Sequence, residues 1–231
     1  MGHSLSKNQL ESIQRFDTCT ISNAIEEFGV RLRNEGYTRP GLRCVFPELP
    51  PMLGYAATCH VKSSNPPPLG ANYYFDRTDW WSRMAEQPVP RVAVIQDIDE
   101  HRGVGASVGE VHASILRALQ CVGMVTDGAV RDLPAVHAMR FPMFAPFVSV
   151  SHAYVHMLDF GTPVEIYGLK ICSGDLLYGD CHGVLSIPNE IAGEVAAMAE
   201  KLLKKERRII DLCRSSEFTI EKLRSTVKEL E

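Results

Sequence analysis

The residues best suited to chemistry fall in one run, Gly-Met-Val-Thr-Asp-Gly-Ala-Val-Arg-Asp over residues 123–132. Arg131 offers a planar fork of N–H donors that matches a carboxylate, and Asp132 offers a hard oxygen for a divalent cation. Side by side they could hold an anionic substrate and a metal. The plainer alternative is an ion pair that staples the turn, worth about 0.5 kcal/mol where exposed. Upstream, Gly103-Val-Gly105-Ala-Ser-Val-Gly109-Glu110 runs into an apolar-periodic stretch with Ile115, Leu116 and Leu119. Its G-x-G-x-x-x-G spacing departs from a dinucleotide fingerprint, and no acid ends a following strand at the required distance. The same segment has a sounder use: the backbone N–H groups of Gly109, Glu110 and Val111 open a helix, where unpaired donors and the helix dipole favour an anion.

Other chemistry-bearing residues have bland readings. Asp97, Asp99 and Glu100 crowd the exit of a strand, where loop acids are ordinarily solvated. His152 and His156 have the spacing that places two rings on one helix face. Their flanks alternate like a strand and no glutamate follows His152, so a structural role is expected. Seven cysteines are scattered without a C-x-x-C pair, which argues against a zinc knuckle or a disulfide scaffold and favours buried apolar residues or bystanders.

These side chains need a scaffold, and the pattern supplies an α/β one. Ser6 with Gln9 reads as a capping box for a helix bearing Leu10, Ile13 and Phe16, and a second helix from about Thr20 is closed by Gly29. Residues 30–51 read as an irregular surface connection, and residues 54–61 as an alternating strand. An aromatic-rich helix is expected over 71–84, with Tyr73, Tyr74, Trp80 and Trp81 serving core or subunit contact. The continuous apolar run in Arg-Val-Ala-Val-Ile-Gln-Asp, residues 91–97, predicts a strand buried on both faces. The helix after Gly109 should close at Gly123. Asp127-Gly128 should then reverse the chain at positive φ and leave Arg131 and Asp132 just past a rigid strand end. A short helix over 133–139, a short strand over 142–145 and an alternating strand over 148–156 follow. Short strands with Gly-Asp turns to residue 187 and two amphipathic helices, one from Ile191 and one capped by Thr219, complete the pattern.

Composition bounds the function. With 45% hydrophobic residues the 231-residue chain can bury a full core, so one domain is expected: N-terminal helices over 6–29, a core over 53–188 and C-terminal helices over 189–231. A net charge of −4 argues against a nucleic-acid surface, and the basic run 201–208 reads as a solvated helix face. No stretch of 18 apolar residues and no apolar leader occur, so a cytoplasmic protein with no membrane contact is expected.

In order and spacing, Gly109-Glu110, the Gly-x-Val-x-Asp-Gly-x-Val-Arg-Asp run, Ser173-Gly-Asp175, and Asp180-x-x-Gly-Val184 followed by Pro188 resemble the RraA-like family. That family includes 4-hydroxy-4-methyl-2-oxoglutarate aldolases, which also decarboxylate oxaloacetate, and the RraA regulators of ribonuclease E. The resemblance runs from about Phe16 to the C-terminal helices. It implies a swivelling β/β/α fold flanked by N- and C-terminal helices, and a homotrimer or homohexamer with sites between subunits. It also implies Mg2+ or Mn2+ held by Asp132 and waters. Arg131 would grip the carboxylate and keto oxygen of a small 2-oxo acid, with Gly109, Glu110 and Val111 also binding substrate. Glu110, with twenty residues between it and Arg131, would orient metal-bound water, and Glu206 of a neighbouring subunit would approach the metal. The implied activity is metal-dependent cleavage of the C3–C4 bond of a 4-hydroxy- or 4-carboxy-2-oxo acid, releasing pyruvate through a stabilised enolate. The alternative is a non-catalytic regulator acting on a ribonuclease or helicase. This chain has Glu110 where aldolases frequently have aspartate, Ala135 where many members have an acid, Ser173 for a proline and Asn23 for an aspartate. The pocket beyond the pyruvyl unit is expected from loops 37–43 and 65–77.

Overall fold

The computed structural model describes residues 4–67 and 77–230. The expected positions of Tyr73 and Tyr74 lie outside them.

Two capped helices begin the chain. In α1 (Lys7–Ile13) the Ser6 hydroxyl accepts from the Gln9 amide and the Gln9 side chain returns a bond to Ser6, the expected capping box, with Leu10 and Ile13 buried. In α2 (Thr18–Glu26) the cap is Asp17, which accepts from the Thr20 amide at 2.7 Å, so the helix starts two residues before the expected Thr20. Residues 30–51 are irregular, as expected, and are pinned to the sheet by backbone bonds such as Thr38 to Val184 and Val45 to Met143.

The central strand is β1 (Met52–Lys62), followed by α3 (Arg77–Ala85), β2 (Arg91–Asp97), β3 (Ala106–Val108), α4 (Glu110–Ala118), β4 (Cys121–Thr126), β5 (Ala129–Val130) and α5 (Leu133–Ala138). Then come β6 (Met143–Phe144), β7 (Phe147–Val148), β8 (His156–Phe160), β9 (Val164–Ile166), β10 (Leu169–Ile171), β11 (Leu176–Asp180) and β12 (Gly183–Ile187). Helices α6 (Val195–Arg214) and α7 (Ile220–Leu230) close the chain. The main sheet has the order β12-β11-β1-β2-β4-β6, with β8 also on β1, and a second sheet has the order β3-β5-β7. Strands β1, β2, β4 and β6 run parallel, as do β3, β5 and β7.

Side-chain alternation sorts the core into layers. Ala57, Cys59, Val61, Ala93, Ile95 and Met124 face α3, α4 and α5, meeting Trp80, Ala113, Leu116 and Val136. The opposite face, through Met52, Ala56, Val92, Val94 and Val125, meets the β9–β10 hairpin. Near the start of β1, Leu53 and Tyr55 join β11 and β12 in packing on α1, α2 and α6. This is the mixed α/β arrangement with flanking helices that the sequence implied. Because β1 is paired on both sides and covered on both faces, it is buried nearly throughout instead of alternating.

Four local expectations are corrected. Helix α4 ends at Ala118 with Leu119 as its C-cap, and Gly123 lies inside β4, where a Cβ would stand 2.6 Å from Met52 Sδ; the glycine there serves close packing and is not a helix stop. Gly128 does not adopt positive φ; the left-handed residue of this region is Asp132 (φ 56°, ψ 37°). Residues 149–155 form a loop between β7 and β8 and no continuous strand. The loop is held by the Ser151 hydroxyl on the Ala153 amide, a local bond that competes with a ladder. Finally, α6 begins at Val195, four residues after Ile191.

Candidate functional site

Arg131 and Asp132 do follow a strand end. Strand β5 lies between β3 and β7, its Ala129 and Val130 are fully buried, and the Arg131 amide donates to Val108 at 3.0 Å. Asp132 then takes the left-handed conformation, which a short polar side chain tolerates, and turns the chain into α5. Its carboxylate does not cap α5. It reaches across to α4, where Oδ2 accepts from the Glu110 amide at 3.0 Å.

That bond explains Gly109. Glycine at the α4 cap position has no side chain to satisfy the first amides, and Asp132 supplies the missing acceptor. A Cβ on Gly109 would lie 2.3 Å from Asp132 Oδ2 and 3.0 Å from Arg131 Nε, so the bare backbone is what admits both side chains. Arg131 Nε lies 3.6 Å from Asp132 Oδ2, within Coulomb reach but beyond a hydrogen bond, and both side chains are more than a third exposed. A pair so placed adds little stability. None of the Arg131 guanidinium N–H groups has a hydrogen-bond acceptor among the described residues. One Asp132 oxygen is likewise without a protein donor there. The fit to a divalent cation of oxygen-ligand preference is therefore good: a hard carboxylate oxygen, oriented by a helix amide, faces a cleft.

The cleft has a volume of about 670 Å³, and Gly109, Val111, Arg131 and Asp132 line it together with Pro67, Arg77, Trp81, Ser107, His112 and the segment 152–156. Glu110 is exposed; its amide is engaged by Asp132, and its carboxylate has no partner among the described residues. Glu206 is exposed on α6, which packs on α1 and α2 and contributes no residue to this cleft. Of the two expected loops, 65–77 reaches the cleft through Pro67 and Arg77. Tyr37 and Thr38 instead line a smaller pocket of about 250 Å³ with Cys19, Asn23 and His182.

Four cleft residues were not singled out from sequence as site residues. Ser107 is buried, and its hydroxyl has no partner among the described residues, a state that costs about 1–3 kcal/mol unless an occupant or water supplies one. His112 donates from Nδ1 to the Ser107 carbonyl at 2.9 Å and accepts the Trp81 indole N–H at Nε2 at 3.4 Å, which fixes a neutral ring. Burial, assisted by the nearby charge of Arg77, pushes its pKa down to about 4. Of the tryptophan pair, Trp80 is core as expected, whereas Trp81 faces the cleft. Arg77 donates Nη2 to the Val155 carbonyl at 2.9 Å. The usable signal was weak: a histidine two residues past Glu110, within the first turn of the helix that carries the anion site.

The remaining candidates resolve as scaffold. Both histidines at 152 and 156 border the cleft but lie on a loop and a strand, each bonded through Nδ1 to a nearby carbonyl. Asp97 accepts from the Gly103 and Asp99 amides, and burial raises its pKa. Asp127 accepts from the Asp97 amide at 2.7 Å, and burial pushes it up to about 6. Arg102 Nη1 lies 2.7 Å from Asp127 Oδ2, but not in line for a hydrogen bond. Asp99 is held below its usual range: burial opposes this, and the amides of Ser63 and Ser64 outweigh it. Of the cysteines, all free, Cys59 and Cys121 are buried and four are exposed. Among the described residues, Asp180, Cys181 and His182 offer ligand atoms within 4.8 Å of one another. The Asp180 oxygens there already accept from Thr18 and His182, so a cation would have to displace those bonds.

Comparison with known proteins agrees with this architecture. The chain is 34% identical over 88 residues to an uncharacterized protein of Methanocaldococcus jannaschii, covering 38% of this chain and 42% of that one. It is 30% identical over 102 residues to a Halalkalibacterium halodurans protein named "Putative 4-hydroxy-4-methyl-2-oxoglutarate aldolase", covering 44% and 47%. The match thus spans less than half the length of each of these curated relatives. An uncharacterized protein from Pseudomonas syringae superposes with a TM-score of 0.75 at 25% identity, over 98% of this chain and 97% of the other. Streptomyces coelicolor RraAS2, described as an unusual member of the RNase ES inhibitor RraA family, gives 0.68 at 20% identity over 89% and 96%, a likeness of fold. A family model described as Aldolase/RraA matches residues 18–186, most of the chain and all of the sheet that carries Arg131 and Asp132; on that match the protein belongs to the RraA-like family.

Proposed function

We propose that the protein is a divalent-metal-dependent lyase that cleaves the C3–C4 bond of a 4-hydroxy- or 4-carboxy-2-oxo acid and releases pyruvate. The observation that carries this reading is the Arg131 guanidinium, free of protein acceptors among the described residues, beside a carboxylate fixed by a helix amide in one cleft. Asp132 would hold Mg2+ or Mn2+, with Glu110 close by through the solvent shell. When bound, the cation supplies Lewis-acid polarisation of the 2-keto oxygen.

The protein's own groups do the rest. Arg131 binds the carboxylate and keto oxygen, and its charge is worth most as that oxygen becomes anionic. The amides at the start of α4 add positive potential on the same side. In the retro-aldol reaction the 4-hydroxyl proton passes to the Glu110 carboxylate through an intervening water. The C3–C4 electron pair moves into the pyruvate enolate, and protonation at C3 completes the product. Loss of carbon dioxide from a 4-carboxylate gives the same enolate without that base. Glu110→Gln should therefore impair aldol cleavage more than decarboxylation.

The site is proposed to be completed in a homotrimer or homohexamer, with Glu206 of a second copy approaching the cation. Exposed Val111, Phe147, Val148, Val150 and Tyr154 give apolar surface around the cleft for such a contact. The test is pyruvate release from oxaloacetate by the purified protein with Mg2+. Arg131→Ala should lose at least ~100-fold of the rate, and an unchanged rate would remove Arg131 from the mechanism. Absence of cation binding by calorimetry, with a ribonuclease or helicase retained instead, would favour the regulatory reading.

A further inference from the structure

The cleft carries two arginines on separate elements, and only one is needed for a keto acid. Arg77, the first residue of α3, is half-buried and sits where a helix dipole disfavours a cation. It forms no salt bridge with a described residue. Its one hydrogen bond there, from Nη2 to Val155, leaves Nε and Nη1 for another acceptor. The imidazole beside it, His112, is held neutral by its two bonds, and an imidazole offers a guanidinium no counter-charge in any case. A pyruvyl unit on Arg131 fills a small fraction of 670 Å³, so the volume admits a larger substrate, and both guanidinium-bearing residues line it.

We infer that Arg77 is a specificity residue that reads a carboxylate at the substrate end remote from the keto acid. The guanidinium presents a fork suited to that group, and its bond to Val155 anchors it to the loop that borders the cleft. Trp81 and His112 form the wall along which the intervening carbons lie. The inference rests on the lyase reading, with Arg131 at the keto-acid end.

The test compares two five-carbon substrates, 4-hydroxy-2-oxoglutarate and 4-hydroxy-2-oxopentanoate, which differ only in a carboxylate against a methyl group. The wild-type protein should favour the dicarboxylate in kcat/KM, and Arg77→Gln should reduce that preference at least ~10-fold. Arg77→Lys, which keeps charge but not the fork, should retain part of it and carries the test if Arg77→Gln does not fold. A wild-type protein without preference, or an equal loss on both substrates, overturns the inference, because a purely structural arginine would leave the ratio intact. Should neither substrate be cleaved, the lyase reading falls. Calorimetric affinities of 2-oxoglutarate and 2-oxopentanoate, in the presence of Mg2+, then decide Arg77 by the same ratio.

Discussion

Arg91 and Arg131 belong to opposite kinds of place in one fold. Arg91 opens β2, is 7% exposed, and spends its guanidinium on the carbonyls of Ala85, Gln87 and Leu119. Arg131 follows the carboxyl end of β5 with no acceptor among the described residues, next to an acid whose oxygen is only half engaged. The acids show the same contrast: Asp97 and Asp127 are buried and bonded to backbone amides, while Asp132 faces a cleft. Residue type does not separate scaffold from site here; spare hydrogen-bonding capacity does. In parallel sheets that capacity collects beyond the carboxyl ends of strands.

Truncating the two arginines should have opposite consequences. Arg91→Ala takes the donor from three part-buried carbonyl acceptors and empties a buried site, and should cost about 3 kcal/mol. Urea unfolding should register that loss, with kcat/KM per folded molecule unchanged. Arg131→Ala should do the reverse, losing at least ~100-fold in pyruvate release at nearly wild-type stability. Gly109→Ala drives a Cβ into the Asp132 carboxylate and should weaken Mg2+ binding about 10-fold by calorimetry, as loss of an orienting contact does.

The smallest effects are in pH. Asp127, raised from 3.8 to about 6, binds more protons folded than unfolded, so its contribution falls as pH rises through that window. His112, lowered from 6.5 to about 4, does the opposite, and its contribution rises with pH over the same range. The two slopes, each below about 1.4 kcal/mol per pH unit, should largely cancel. Asp127→Asn should leave stability rising between pH 4 and 6.5, and His112→Gln should leave it falling. Parallel profiles in denaturant titrations would show that neither residue is shifted as described.

Strand β2 was legible to the residue because its apolar run is continuous, and α1 because its cap is written in local sequence. Arg131 and Asp132 were legible because two chemically distinct groups are adjacent in one motif. The loop 149–155 misled because Val148, Val150 and Tyr154 alternate although Val150 is 97% exposed, and alternation alone does not say which face meets a core. Ser107 and His112 were silent for another reason, and Arg77 was marked only as the end of an expected loop. Each is ordinary in its own segment, and only the packing of α3 and α4 against the turn at residues 131–132 gives them a common cleft.

One carboxylate, that of Asp132, serves both the α4 start, through Oδ2, and the cleft that it lines. An occupant that draws this oxygen toward itself leaves the Glu110 amide without its partner, and the first turn of the helix loosens. Occupancy is thereby written into solvent exchange at a single backbone proton. Hydrogen exchange at Glu110 would follow the filling of the cleft even in a protein that turns nothing over.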